Sequence, residues 1–302
     1  MKKAKKKMTA AQRNANIVGY LFILPNFLSV MCFLFFPLLY SFAISFFDFN
    51  LFKGFEGSKF VGLENYIRIF SDEKVGISLL NNLKYIVGTI PISLFLAMVL
   101  AVVLHNKIFF RNVARAIFFL PYIASAAAMA MVWMRIFSPT MGLINGILEK
   151  LGVQNPPGWL ASETWVWPAL IIMAIWGGLG YNIVLYMAGL QGIDPCLYDS
   201  ADIDGATFWQ KFRHITVPLL SPTTFFLLIT GIIGSFQVFG SINIMTRGGP
   251  GTASYVIAYY TYVNAFQYYK MGYASATSWL LIVIILIVTL LQWIGQKKWV
   301  NY

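Results

Sequence analysis

Charge is the scarcest commodity in this 302-residue sequence, of which 11% is Asp, Glu, Lys or Arg. A water-soluble domain carries about 25%, so the chain lacks the polar surface such a domain shows to water. Cysteine and histidine are rarer still, at two each. Cys32 falls inside the first apolar run and Cys196 in a later loop, which leaves neither a disulfide framework nor a metal-ligand spacing. His105 and His214 sit at the ends of apolar runs, where a lone histidine is structural. No Ser/His/Asp set, paired-carboxylate constellation or Gly-x-x-x-x-Gly-Lys-Ser/Thr phosphate loop occurs. These gaps exclude a membrane-embedded enzyme built on such groups, a resident metal, and ATP hydrolysis by this chain. No internal repeat, low-complexity stretch or separate soluble domain is visible.

What the chain has instead is apolar length. It is 59% hydrophobic and 17% aromatic, with a mean hydropathy of +0.70. The expected fold is all-α and polytopic, with six spanning helices near 17–43, 81–105, 114–137, 165–190, 217–244 and 274–296. Residues 1–16 form a basic N-terminus and 297–302 a short C-terminus. The lysine cluster before the first run resembles a signal peptide, but the apolar run from Ile17 to Phe47 is too long and has no clear cleavage site, so it is expected to stay as a span.

The net charge of +11 does not point to nucleic acid, because the basic residues flank the apolar runs, where they set orientation in lipid. With the N-terminus inside, the cytoplasmic set is Lys2, Lys3, Lys5, Lys6, Lys7, Arg13, Lys107, Arg111, Arg115, Lys211, Arg213, Lys297 and Lys298. The outer set is smaller and diluted by Glu56, Glu64, Asp72 and Glu73, so both termini are expected in the cytoplasm. The aromatic stretch Ala253–Tyr269, after the turn Gly248-Gly249-Pro250-Gly251, reads as a helix on the outer membrane surface or as an extension of the neighbouring spans.

One cytoplasmic loop, 194–218, is more elaborate than a linker needs to be. Asp194-Pro195 is a helix start, Asp204-Gly205 a break, and Phe208, Phe212 and Ile215 fall on one stripe of a second helix. Aromatics held outside the lipid either pack back onto the spans or mark an interface.

This loop resembles the EAA motif of ATP-binding-cassette importer permeases. Asp199-Ser200-Ala201, Asp204-Gly205-Ala206, Phe212, Ile215, Val217 and Pro218 keep its spacing, with Asp199 for glutamate, Ser200 for alanine and Val217 for leucine. Phe60-Val61-Gly62-Leu63-Glu64-Asn65-Tyr66, Phe119-Leu120-Pro121, Gly142-Leu143-Ile144-Asn145, Met245-Thr246-Arg247-Gly248-Gly249-Pro250 and Met271-Gly272-Tyr273-Ala274-Ser275-Ala276 are similar to the carbohydrate-uptake branch. The resemblance implies the type I importer permease fold in a bacterial inner membrane. It also implies a half-pore beside a second homologous permease, fed by an extracytoplasmic solute-binding protein and driven by an ATPase dimer that binds ATP and magnesium. Asp199, Ala201, Asp204, Gly205, Ala206, Phe208 and Phe212 are then the ATPase-coupling residues, with Asp199 as polar anchor, Gly205 as turn, and Phe208 and Phe212 as apolar contacts.

A sugar needs hydrogen-bonding groups and aromatic faces, and the spans hold no Asp, Glu, Lys or Arg between their ends, which argues against proton coupling. Trp176, Tyr181, Asn182, Ser235 and Gln237 are the substrate-path candidates, although the same residue types also glue spans together and anchor interfaces. Gly177, Gly178 and Gly180 allow either close helix packing or a bend. A self-sufficient secondary transporter or channel, with any sodium coupling through backbone carbonyls, is the alternative class; the loop motif and the lack of a second similar half speak against it.

Overall fold

A computed structural model describes residues 10–52, 54–105 and 111–301. Lys2, Lys3, Lys5, Lys6, Lys7, Lys53 and Lys107, which entered the charge count, lie outside these residues. The described chain is helical, with one short antiparallel hairpin, β1 (Phe47–Asp48) against β2 (Lys59–Phe60).

The long helices are apolar all round, the pattern of segments that lie in lipid and not at a water boundary. The first, α1 (Asn16–Ile44), passes through a π turn at Met31–Phe35, and 6% of its most apolar stretch is buried. After the hairpin come α2 (Glu64–Ser71) and α3 (Glu73–His105). Next are α4 (Arg111–Ile123), α5 (Ala126–Ile136), the short α6 (Leu143–Lys150) and α7 (Val166–Gln191). Beyond two loop helices, α8 (Pro195–Ile203) and α9 (Phe208–Lys211), stand α10 (Ser221–Phe236), α11 (Ile257–Tyr262) and α12 (Met271–Gly295). Five segments are long and apolar enough to cross a membrane, or six when α4 and α5 count as one broken crossing.

The centre of the bundle is α3 on α7. Leu94, Ala97, Met98, Ala101 and Leu104 lie on one helical face and meet Leu179, Ile183, Tyr186, Met187 and Leu190. Ala97 and Ala101 are fully buried, because a methyl group lets two helix axes approach closely where no hydrophobic drive from water exists. Gly180 does the same for α4: a Cβ there would stand 2.3 Å from the Phe118 carbonyl oxygen, so this glycine serves close packing.

Two segments depart from simple straight helices or surface stretches. The segment 114–137 is not one straight helix: α4 and α5 meet at 108° across Ala124 and Ser125. Pro121 brings no amide to the Ile117 carbonyl, and Ser125 takes extended angles (φ −57°, ψ 128°) before the helix restarts. The stretch 253–269, expected on the outer membrane surface or as an extension of its neighbours, packs into the bundle. Val256 and Ile257 are fully buried, and α11 packs between the starts of α3 and α12.

Side-chain amides hold that end of the bundle together. Asn82 donates to the Ser235 carbonyl at 3.2 Å and accepts from the Ile257 amide at 3.0 Å. Asn81 reaches the Tyr255 carbonyl, and the Trp167 indole donates to Ala253. Asn145, from the Gly-Leu-Ile-Asn motif, is 3% exposed; it donates to Pro139 and Pro157 and accepts from the Trp159 indole at 2.7 Å. At the opposite end of the molecule the last residues are docked: Trp299 packs edge-on against Phe225, and the Asn301 amide donates to Ser221.

Asp72 closes the end that the Asn81 and Asn82 amides hold together. Its Oδ2 accepts from Tyr260 at 2.5 Å and Tyr273 at 2.6 Å, and its Oδ1 from the Lys74 amide, tying α3 to α11 and α12. Burial alone would push the Asp72 carboxyl up, but these donors and the nearby Arg68 outweigh it and hold it below the usual carboxylate range. A carboxylate depressed in the folded state contributes stability above its unfolded pKa, about 4, and loses that contribution as pH falls through the folded value. Asp72→Asn therefore lowers the stability of the purified protein by about 1 kcal/mol at neutral pH, the difference between charge-assisted and neutral bonds. In thermal melts the gap between variant and parent narrows as pH falls below about 4.

Candidate functional site

The loop after α7 is built from local rules that hold each piece in place. The Asp194 carboxylate accepts from the Cys196 amide at 2.9 Å and Pro195 fills the first helical position, so α8 starts capped. It ends in a closed Schellman turn: the Ala206 amide donates to the Ala201 carbonyl at 2.9 Å and the Gly205 amide to Asp202 at 3.1 Å. Gly205 takes φ +74°, which side-chain-bearing residues resist. The Asp-Gly-Ala spacing is thus the cap, the left-handed turn and the closing amide. A capping box then starts α9, with the Thr207 amide donating to Gln210 Oε1 at 2.7 Å and Gln210 returning its amide to the Thr207 hydroxyl. Thr207 and Gln210 were not among the sequence candidates, although Thr-x-x-Gln before an aromatic run is a readable signal.

The two arms are joined as well as bent. Tyr198 and Thr216 share a hydrogen bond of 2.9 Å, and Lys211 pairs with Asp202. Phe212 is buried among the ends of α3 and α7, and Ile215 packs on the same cluster. Phe208 stacks on Phe212 with ring centres 6.2 Å apart, and Trp209 stands edge-on to both. Asp199, Asp204 and Phe208 are exposed, while Ala201 and Ala206 are half-buried. The most exposed apolar groups of the loop are Ile203 at 88% and Trp209 at 66%. Ile203 escaped sequence reading because it falls on no apolar stripe. Between α8, α9 and the end of α3 lies a cleft of about 290 Å³, lined among others by His105, Asp199, Phe208 and Lys211.

Inside the bundle, a second cavity of about 500 Å³ lies between α3, α7 and α10. Tyr181, Asn182 and Ser235 line it; Trp176 and Gln237 do not. Trp176 turns to Trp133, with ring centres 5.6 Å apart, and Gln237 is an exposed C-cap of α10. Five further polar residues complete the lining: Tyr85, Thr89, Ser93, Tyr122 and Thr230. Thr89 and Ser93 stand one turn apart in an apolar helix, a spacing that carried the signal. Tyr122 could not be placed from sequence, because the break after Ile123 decides where its ring goes. Asn182 donates to the Ser93 hydroxyl at 2.9 Å, and Tyr122 stacks on Tyr181 with ring centres 5.1 Å apart and planes at 23°.

A bundle of long apolar helices around a polar cavity, with a stiff capped loop at one end, has the build of a membrane transport subunit. The chain belongs to the family of binding-protein-dependent transport system inner membrane components, which it matches over residues 90–299. It is 33% identical to the probable ABC transporter permease protein YesP of Bacillus subtilis (strain 168), over 98% of this chain and 96% of the relative. It is 30% identical to the lactose transport system permease protein LacF of Rhizobium radiobacter, over 96% of this chain and 97% of the relative. A bacterial ABC transporter involved in the import of the acidic polysaccharide alginate has a chain of the same fold, with a TM-score of 0.81 and 24% identity over 94% of this chain and 96% of that one. The protein is a multi-pass inner-membrane permease component of the ATP-binding-cassette importer type.

The tie between the arms is testable without any partner. Tyr198→Phe removes one hydrogen bond, worth about 1 kcal/mol. Amide hydrogen exchange in 195–203 then speeds up roughly fivefold, while exchange in α7 is unchanged.

Proposed function

We propose that the chain forms half of the translocation path of an ATP-driven, binding-protein-dependent carbohydrate importer, and that the loop 194–218 carries the motion of the ATPase to the spans. The observation that carries this reading is the division of labour within the loop. Phe212 and the Tyr198–Thr216 bond root it in the bundle, while Ile203, Phe208 and Trp209 stand exposed beyond the root. Exposed apolar groups on a stiff, capped scaffold suit docking to a protein partner.

In this reading the partner is an ATPase dimer, which binds ATP and magnesium, and the loop faces the cytoplasm as the basic residues require. Asp199 is the polar anchor, Gly205 the turn within the Asp204-Gly205-Ala206 and Ala201 closure, and Phe208 an apolar contact. Phe212 serves as the root that passes displacement inward. The thinly covered α1 offers an apolar face for lipid or for the second homologous permease. The Asp72 end then faces the solute-binding protein. The carbohydrate cargo follows from LacF, named for lactose transport, and from a cavity lined by hydroxyls, an amide and aromatic rings.

Gly205→Val tests the lever. Open space surrounds Gly205, so the added side chain acts through its backbone angles, at a cost of about 1–2 kcal/mol. Assembly with the ATPase, read by co-purification, is expected to persist while substrate-driven uptake falls by about tenfold or more. Normal uptake in an assembled complex would sink the lever role. Trp209→Ala is expected to weaken co-purification itself, as an exposed aromatic anchor should.

A further inference from the structure

The chemistry of the cavity between α3, α7 and α10 is narrower than "carbohydrate". None of its lining residues among those described is Asp, Glu, Lys, Arg or His. An anion entering it would leave water for a low-dielectric wall with no counter-charge, which is costly unless the charge is paired. The hydroxyls of Tyr85, Ser93, Tyr122, Tyr181 and Ser235 can donate but carry no counter-charge, and the two threonines do less. Thr89 already donates its proton to the Tyr85 carbonyl at 2.6 Å, and Thr230 donates to the Phe226 carbonyl at 2.9 Å. Both threonines therefore offer only lone pairs to a ligand, and lone pairs repel a carboxylate or a phosphate.

The remaining polar groups offer donors and acceptors together. Ser93 accepts from Asn182 and keeps its own proton to give; Asn182 keeps Oδ1 to accept with and its second amide hydrogen to donate. A sugar hydroxyl both donates and accepts, so it can satisfy such a pair from one atom. An anion, which only accepts, would leave Asn182 Oδ1 and both threonine oxygens unmet. Beside them Tyr122, whose inner face is covered by Tyr181, is 49% exposed. Its free face is a flat apolar platform of the kind the C–H face of a pyranose or furanose ring covers.

We propose that this cavity is a half-site for an uncharged saccharide, with Tyr122 as the ring platform and Asn182–Ser93 reading its hydroxyls, and that it discriminates against saccharides bearing carboxylate or phosphate. The proposal rests on the carbohydrate reading above and adds the charge class of the cargo. The fold does not supply that class, since an importer of acidic alginate has the same fold; the lining does.

The test uses the complete transporter in cells, compared with cells lacking this chain. Both are given one mixed hydrolysate of neutral polysaccharides (starch, arabinan, galactan) and uronate polysaccharides (pectin, alginate), and mass spectrometry reads which oligosaccharides enter. Neutral oligosaccharides are expected to enter at least about tenfold faster than uronate ones. Entry of uronate oligosaccharides at a comparable rate overturns the charge discrimination and leaves the carbohydrate reading standing. Entry of none, in cells where the complex is assembled, overturns both. Tyr122→Ala is expected to lower uptake of the entering sugar roughly 3- to 10-fold while Tyr122→Phe, which keeps the ring, leaves it nearly unchanged. Asn182→Leu should lower uptake with the ATPase still co-purifying. Unchanged uptake in both Tyr122→Ala and Asn182→Leu removes the half-site from this cavity.

Discussion

Within the hydrocarbon there is no water to satisfy a polar group, so each one that enters a span must find its partner inside the protein. The backbone meets this demand by staying helical. The polar side chains meet it in two different ways, and the difference separates scaffold from site. Asn81 and Asn145 spend their amides on loop carbonyls, Asn82 spends its own on the Ser235 carbonyl in the last turn of α10, and all three are all but fully buried. Ser93, Asn182, Thr89 and Thr230 are satisfied only in part by neighbours, and their remaining capacity opens into one cavity. The first set pins neighbouring segments together; the second keeps hydrogen-bonding capacity that a ligand can use.

The loop at the far end obeys the opposite constraint. In water, a connection between two spans gains nothing from being rigid unless rigidity is used, because ordering each residue costs about 1–2 kcal/mol of backbone entropy. Here Asp194, the Schellman turn at Gly205 and the Thr207–Gln210 box fix successive stretches of backbone, and the Tyr198–Thr216 bond fixes one arm to the other. Residues that local chemistry alone determines are the ones a sequence displays most openly, and the helix start, the break and the aromatic second arm were all legible. What the sequence could not show was which aromatic points where. Phe212 turned out to be interior and Trp209 exterior, because the division depends on how the ends of α3 and α7 approach the loop.

The same distinction explains the other departures. The number and apolar character of the long segments were readable, since composition and length decide them. The break between α4 and α5 was not, although Pro121 was in view. A proline near a span start is often harmless; here Pro121 leaves the Ile117 carbonyl without its helical donor and Ser125 turns extended, which lets the chain bend. Residues 253–269 read from their tyrosines either as interfacial or as an extension of the spans, and tyrosine is equally at home buried when its hydroxyl has a partner. Asp72 supplies that partner to Tyr260, from nearly 190 positions away in sequence (|i−j| = 188). Trp176 and Gln237 looked like substrate contacts on residue type; one found a tryptophan across a helix interface and the other a helix end. Residue type narrows the candidates for a cavity, and only helix rotation and tilt choose among them.

The loop and the cavity are joined by matter and not only by proximity. Phe212 and Tyr198 belong to the same packed cluster as Leu94, Tyr181 and Leu227, and the last three also line the cavity. Close-packed side chains have little room to absorb a displacement, so a push on Phe212 is passed to α3, α7 and α10 or resisted by all of them. Ala97 and Ala101 make that contact tighter than long side chains would, since their methyl groups have no rotamers in which to yield. A motion imposed at α8 and α9 therefore reaches the cavity as relative movement of α3, α7 and α10, which changes the spacing between Ser93, Asn182 and Thr230. Under the proposed function, binding and release at those residues would then follow the state of the loop.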